Sequence, residues 1–215
     1  MNKEIDELLL KANTGINNAL SHPDVSGLMS PFGYTSEKLT AGKAILTHAQ
    51  NLQALQVKEA GEQDGASNEL QRKWSEAHHI YMTYVTIARI TFKNEPGMWT
   101  KLQIGGRRKQ SYSGRISQAR MFYVNLMADE AAMTKVSEFG VTTEKLQAGL
   151  ALVEEVENQL AIYTKETGES QDATKARDEA VDVLHEWYSD FKAIARLALQ
   201  ERPQLLEILG IIEPS

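Results

Sequence analysis

Phe32-Gly33-Tyr34-Thr35-Ser36-Glu37-Lys38-Leu39-Thr40-Ala41-Gly42 returns 107 residues later as Phe139-Gly140-Val141-Thr142-Thr143-Glu144-Lys145-Leu146-Gln147-Ala148-Gly149. The pairing continues without a gap over residues 32–102 and 139–209, and 23 of its 71 positions are identical. Composition alone would give about five. The chain therefore reads as duplicated, a single helical domain over residues 1–215 made of repeats 1–107 and 108–215. What both copies keep belongs to shared architecture. What one copy has alone is a candidate for a local role.

Working outward, Thr35 and Thr142 suit helix N-caps, because a threonine hydroxyl satisfies an orphan amide of the first turn. Tyr34 with Leu39, and Val141 with Leu146, occupy the hydrophobic-staple positions. Glu37 and Glu144 add the negative charge that the helix dipole favours there. Apolar and small residues then keep a helical spacing: Leu39, Gly42, Leu46 and Ala49 in one copy, Leu146, Gly149, Val153 and Val156 in the other. The paired glycines predict a closely approaching neighbour helix. Gly61 and Gly168 resemble C-terminal caps, so a turn is expected there, followed by a second long helix over 66–94 and 173–201. The seams of these helices read Trp74, Ala77, Ile80, Tyr84, Ile87 and Val181, Leu184, Trp187, Phe191, Ile194. Pro96 and Pro203 end them and open a short final helix.

Ahead of each hairpin, residues 1–31 and 108–138 share apolar spacing but only three identities, Ala12/Ala119, Asn18/Asn125 and Ser30/Ser137. One leading helix per repeat is expected. The segment from Ser21 through Gly27 reads as an ordinary connection. The fold class is then all-α: an internally duplicated, pseudo-two-fold bundle whose core is four long helices, flanked by two N-terminal helices.

Composition narrows the chemistry. With 215 residues, 42% of them hydrophobic, the chain can bury a sizeable core. The absence of cysteine excludes disulfides, thiolate metal sites and cysteine nucleophiles. The apolar run Leu8-Leu9-Leu10 is too short for a signal peptide and no stretch approaches a membrane span, so a cytoplasmic location and no membrane partner are expected. A net charge of −6 argues against general nucleic-acid binding. The charge is uneven: from Phe139 onward there are 15 acids and 7 bases, before it 14 acids and 16 bases.

Two polar features stand out. His78, Tyr81 and Arg89 recur as His185, Tyr188 and Arg196. An eleven-residue spacing puts each His and Arg on one helix face, as for a ligand or anion site, or as satisfied groups at the edge of the core. The second feature is unrepeated: Gly105-Gly106-Arg107-Arg108-Lys109-Gln110-Ser111-Tyr112-Ser113-Gly114-Arg115, followed by Arg120, with no acid between Gln103 and Ala128. Arg107, Arg108 and Lys109 could bind an anion or an acidic partner, or form a solvated linker. The glycine spacing matches neither the phosphate-loop nor the dinucleotide fingerprint.

Glu76-Ala77-His78-His79 carries a Glu-x-x-His spacing, but Val183 and Glu186 stand at its equivalent positions, so no metal site is assigned. No nucleophile elbow is present. The expectation is a non-enzymatic helical bundle without a cofactor, acting as a structural or protein-interaction module with a protein partner. The alternative is a bundle that binds a small ligand, an anion or a metal.

Overall fold

The computed structural model describes residues 3–211; the extreme ends of the expected 1–215 domain lie outside the described residues. The chain is all-α, with no strand among the described residues. Its helices are α1 Lys3–Ser21, α2 Pro23–Met29, α3 Ser36–Thr91, α4 Pro96–Lys101, α5 Tyr112–Met127, α6 Glu130–Ser137, α7 Thr143–Ala198 and α8 Gln204–Ile208. Among the described residues no helix is long and apolar enough to cross a membrane.

The expected four long helices are in fact two. Each of α3 and α7 runs unbroken for 56 residues, and the two pack together. No turn forms at Gly61 or Gly168, and neither glycine takes a left-handed φ. A turn would strip the helix of several backbone hydrogen bonds, whereas an interior glycine costs only about 1 kcal/mol relative to alanine. The glycines that do end helices are Gly33, Gly140 and Gly210, at φ 84°, 72° and 67°. In each case an amide just beyond the cap reaches back into the last turn: Tyr34 N–H to Met29 O, Val141 N–H to Val136 O and Ile211 N–H to Leu206 O.

The N-caps form where expected. The Thr35 and Thr142 hydroxyls accept from the amides of Lys38 and Lys145, at 3.5 and 3.3 Å. Each leading helix, however, is two helices. Pro23 lacks the amide that would continue α1 and instead opens α2. Asp129 caps α6, its carboxylate accepting from Ala132 N–H at 2.9 Å.

The chain divides into two compact units, one of residues 1–60 with 169–215 and the other of residues 61–168. In the first, α1, α2 and α8 pack with residues 36–60 and 169–198 around Ile16, Met29, Leu39, Leu46, Leu184 and Phe191. In the second, α4, α5 and α6 pack with residues 61–91 and 143–168 around Leu70, Tyr81, Val85, Phe92, Phe122 and Leu146. The expected seam is buried at Trp74, Ala77, Leu184 and Phe191, and elsewhere the buried face is shifted by one position. Tyr81, Val85 and Ala88 are buried, as are Tyr188 and Ala195, while Ile80, Ile87, Trp187 and Ile194 are only partly covered.

The close neighbour at each paired glycine is a side chain of another helix. A Cβ at Gly42 would collide with the Trp187 indole, and one at Gly149 would lie 2.5 Å from the Tyr123 hydroxyl. Each glycine admits an aromatic ring rather than a neighbouring backbone.

Candidate functional site

The unit of residues 61–168 brings together residues that are far apart in sequence. Trp74, His78 and Tyr81 lie one turn apart on α3 and face the non-helical stretch between α4 and α5 and the first turns of α5. That stretch contributes Arg108, Lys109 and Gln110, and α5 contributes Arg115 and Gln118. Together these residues line a cavity of about 300 Å³.

Its frame is polar and backbone-anchored. Arg108 Nη1 donates to the Tyr81 hydroxyl at 2.9 Å and to Gln103 O at 2.8 Å, and Nη2 donates to Gly105 O at 2.8 Å. Gln118 is only 6% exposed; its amide donates to Gln103 O at 3.3 Å and its oxygen accepts from Lys109 N–H at 3.2 Å. Gln103 can present its carbonyl to both because it closes α4 in a left-handed conformation, φ 51°, which is uncommon for a residue with a side chain. The Ser111 hydroxyl caps α5 by accepting from Gly114 N–H at 3.2 Å. No acidic residue lies in the first turn of α5, so the positive end of its dipole is unopposed locally.

Aromatic rings form the other wall. The Arg115 guanidinium lies 5.6 Å from the ring centres of both Trp74 and Tyr112, within cation–π range. The His78 ring sits 5.1 Å from that of Trp74. His78 Nδ1 is sealed from solvent without a hydrogen-bond partner. Burial, then the charges of Arg115 and Arg108, hold the imidazole below its usual range, favouring the neutral form. Burial pushes the Tyr81 phenol up, against the opposing pull of Arg108.

Three cationic side chains therefore surround one concavity, and none of its lining residues is acidic. Among the described residues no carboxylate pairs with Arg108, Lys109 or Arg115, although Arg120, one turn beyond, pairs with Glu154 and Glu157.

The remaining candidates lie elsewhere. Arg89 turns away from the cavity and donates to Ile104 O at 2.8 Å, fixing the exit from α4. Arg107 is exposed and does not line the cavity. In the other unit, Tyr188 is buried and its hydroxyl donates to Lys11 O at 3.0 Å, while His185 and Arg196 are exposed. His185, Tyr188 and Arg196 are not among the residues that line the cavity described above. Glu76 and His79 are exposed, and Glu76 pairs with Arg72 at 3.6 Å.

Sequence reasoning missed Gln118 and placed Trp74 in the core alone. A glutamine inside the apolar run Ile116, Ala119, Phe122, Tyr123 was the available signal for the first.

The chain matches no protein-family model, no curated protein and no solved structure.

Proposed function

We propose that the protein is a non-enzymatic helical binding module whose 61–168 unit takes up a small anionic ligand. One observation carries this reading: Arg108, Lys109 and Arg115 converge on a single cavity with no carboxylate in its lining. Unbalanced cations in a cleft with partly apolar walls focus a positive potential and raise the local concentration of anions. Frame and binding groups are also divided. Arg108 is committed to Tyr81 and two backbone carbonyls, whereas Lys109 and Arg115 reach no acceptor among the described residues and remain available to an incoming anion. The test is a thermal-shift series at low ionic strength with phosphate, sulfate, acetate and benzoate against chloride. At least one anion should raise the melting temperature, and Lys109→Gln with Arg115→Gln should abolish the rise. No response to any of them would dismiss the reading.

A second reading, the structural or protein-interaction module, is favoured by an open apolar groove of about 610 Å³ in the other unit, lined by Ala44, Ile45, Leu52, Ala180 and Val183 among others. Uptake there of a dye that fluoresces in apolar surroundings, lost in Val183→Asp, would support it. No uptake would count against it.

We further propose that the chain arose by duplication of a 107-residue unit. Its support is the recurrence of local detail at one offset: helix starts at Ser36 and Thr143, helix ends at Thr91 and Ala198, and left-handed residues at Gly33 and Gly140 and at Gln103 and Gly210. Asn18 donates to Ile208 O at 2.6 Å and Asn125 to Lys101 O at 2.7 Å, equivalent bonds with donor and acceptor exchanged between the repeats. Alanine at Asn18 and at Asn125 should then cost similar stability, about 1 kcal/mol each, in denaturant melts.

A further inference from the structure

We propose that the anion taken up beside Arg108, Lys109 and Arg115 is a phosphate monoester attached to an organic group, rather than a carboxylate or a free inorganic ion. This rests on the anion-binding reading above and narrows it. Three observations point to it.

The first is charge. The cavity lining holds three cationic side chains and no acid. A carboxylate would bring a single negative charge, whereas a phosphate monoester carries about −1.5 to −2 near neutral pH and balances more of the excess.

The second is direction. The polar side chains that line it come from three elements: His78 on α3, Lys109 and Gln110 on the connecting stretch, where the Gln110 amide also donates to Arg108 O at 2.9 Å, and Arg115 on α5. Two coplanar carboxylate oxygens suit one fork of donors in one plane. Three phosphoryl oxygens suit donors approaching from several sides, and the positive end of α5 adds to them.

The third is size. A volume of about 300 Å³ is more than an inorganic anion alone would fill. The cavity is also walled by Trp74, Tyr81 and the Arg115 guanidinium, 5.6 Å from the Trp74 ring centre, surfaces that favour a planar or apolar organic group.

The experiment is calorimetric titration of the full chain at low ionic strength with phenyl phosphate, benzoate and inorganic phosphate. At pH 7.5 phenyl phosphate should bind about tenfold more tightly than benzoate or inorganic phosphate. As pH falls through about 6 the ester loses its second charge, so its advantage over benzoate should shrink, while a guanidinium stays charged throughout. The cavity's own titrating neighbours are His78 on α3, with Tyr81 beside it and Arg108, Lys109 and Arg115 on the facing wall. Protonation of His78 would strengthen every anion on acidification, so His78→Gln is titrated in parallel to separate that effect from the titration of the ester. Lys109→Gln, on an exposed side chain that leaves the packing intact, should weaken phenyl phosphate about tenfold. Benzoate binding as tightly as phenyl phosphate would overturn the phosphate assignment and leave anion binding standing. Inorganic phosphate binding as tightly as the ester would overturn the organic part. Binding of none of the three would overturn both this inference and the reading beneath it.

Discussion

Arg108 braces the cavity, and its removal gives a measurable cost. Arg108→Ala deletes three hydrogen bonds, to Tyr81, Gln103 and Gly105, at 2.8 to 2.9 Å. A hydrogen bond to a charged group contributes about 1.5–3 kcal/mol when enclosed. Arg108 is half-buried and its bond to Gly105 is exposed, so about 1 kcal/mol each is the better figure, offset in part by the rotamer freedom an unfixed arginine regains. The expected net loss is about 2 kcal/mol, equivalent to roughly 4–8 °C in melting temperature for a chain of this length. Thermal circular dichroism and guanidinium denaturation followed through tryptophan fluorescence both read it. Tyr81→Phe should cost about 1 kcal/mol, and the double variant should show a coupling energy of similar size, because the two residues share one bond. Arg108→Lys should recover little, since an ammonium cannot reproduce the fork that spans two carbonyls and a phenol. If Arg108→Ala melts within about 1 °C of the parent, or its cycle with Tyr81→Phe shows no coupling, Arg108 is not the brace described here.

Gly61→Ala and Gly168→Ala should each raise stability by about 0.5–1 kcal/mol, because both glycines sit within long helices with open space for a Cβ; a fall in the denaturation midpoint would instead reinstate turns at those positions. Gln103→Gly should raise stability by up to about 1 kcal/mol, since it relieves a positive φ and keeps the carbonyl the cavity uses, and a drop in the melt would refute the strain. The pH dependence has a definite sign. The folded chain binds a proton at His78 less readily than the unfolded chain, so as pH falls below about 6.5 the unfolded state takes up the proton first and stability is lost, returning above that pH. Melting temperatures between pH 5 and 8 should show that loss, and His78→Gln should flatten it; an unchanged profile in the variant would remove His78 from the explanation.

Much of the local architecture was readable because its causes lie within a few residues. Thr35 and Thr142 cap their helices through amides three positions on. Pro23 opens a helix because its missing amide falls where none is needed. Glycine is where local reading failed. Gly61 and Gly33 look alike in sequence, yet one stays helical and the other turns left-handed. The difference lies in whether the packed faces on both sides continue, which nearest neighbours do not record. The tyrosines misled for another reason. Tyr81 and Tyr188 carry a polar tip and were placed at the edge, but their rings are buried and the hydroxyls find partners in Arg108 and in Lys11 O.

The chain's own residues established that it is helical, where its caps lie, and that one stretch is basic and free of acids. Assembly of the 61–168 unit brought the candidate site together. Tyr81 and Arg108 are 27 positions apart, so the His/Tyr face and the basic stretch read as two rival candidates until packing made them walls of one cavity. The same assembly gave the identical triad two outcomes. His78 stands against Arg108 and Arg115, while His185 is exposed, because only the first has a basic segment folded against it. Side-chain identity sets what a residue can bond. Its charge environment comes from what the fold brings within a few ångströms, and that is a property of the packed chain.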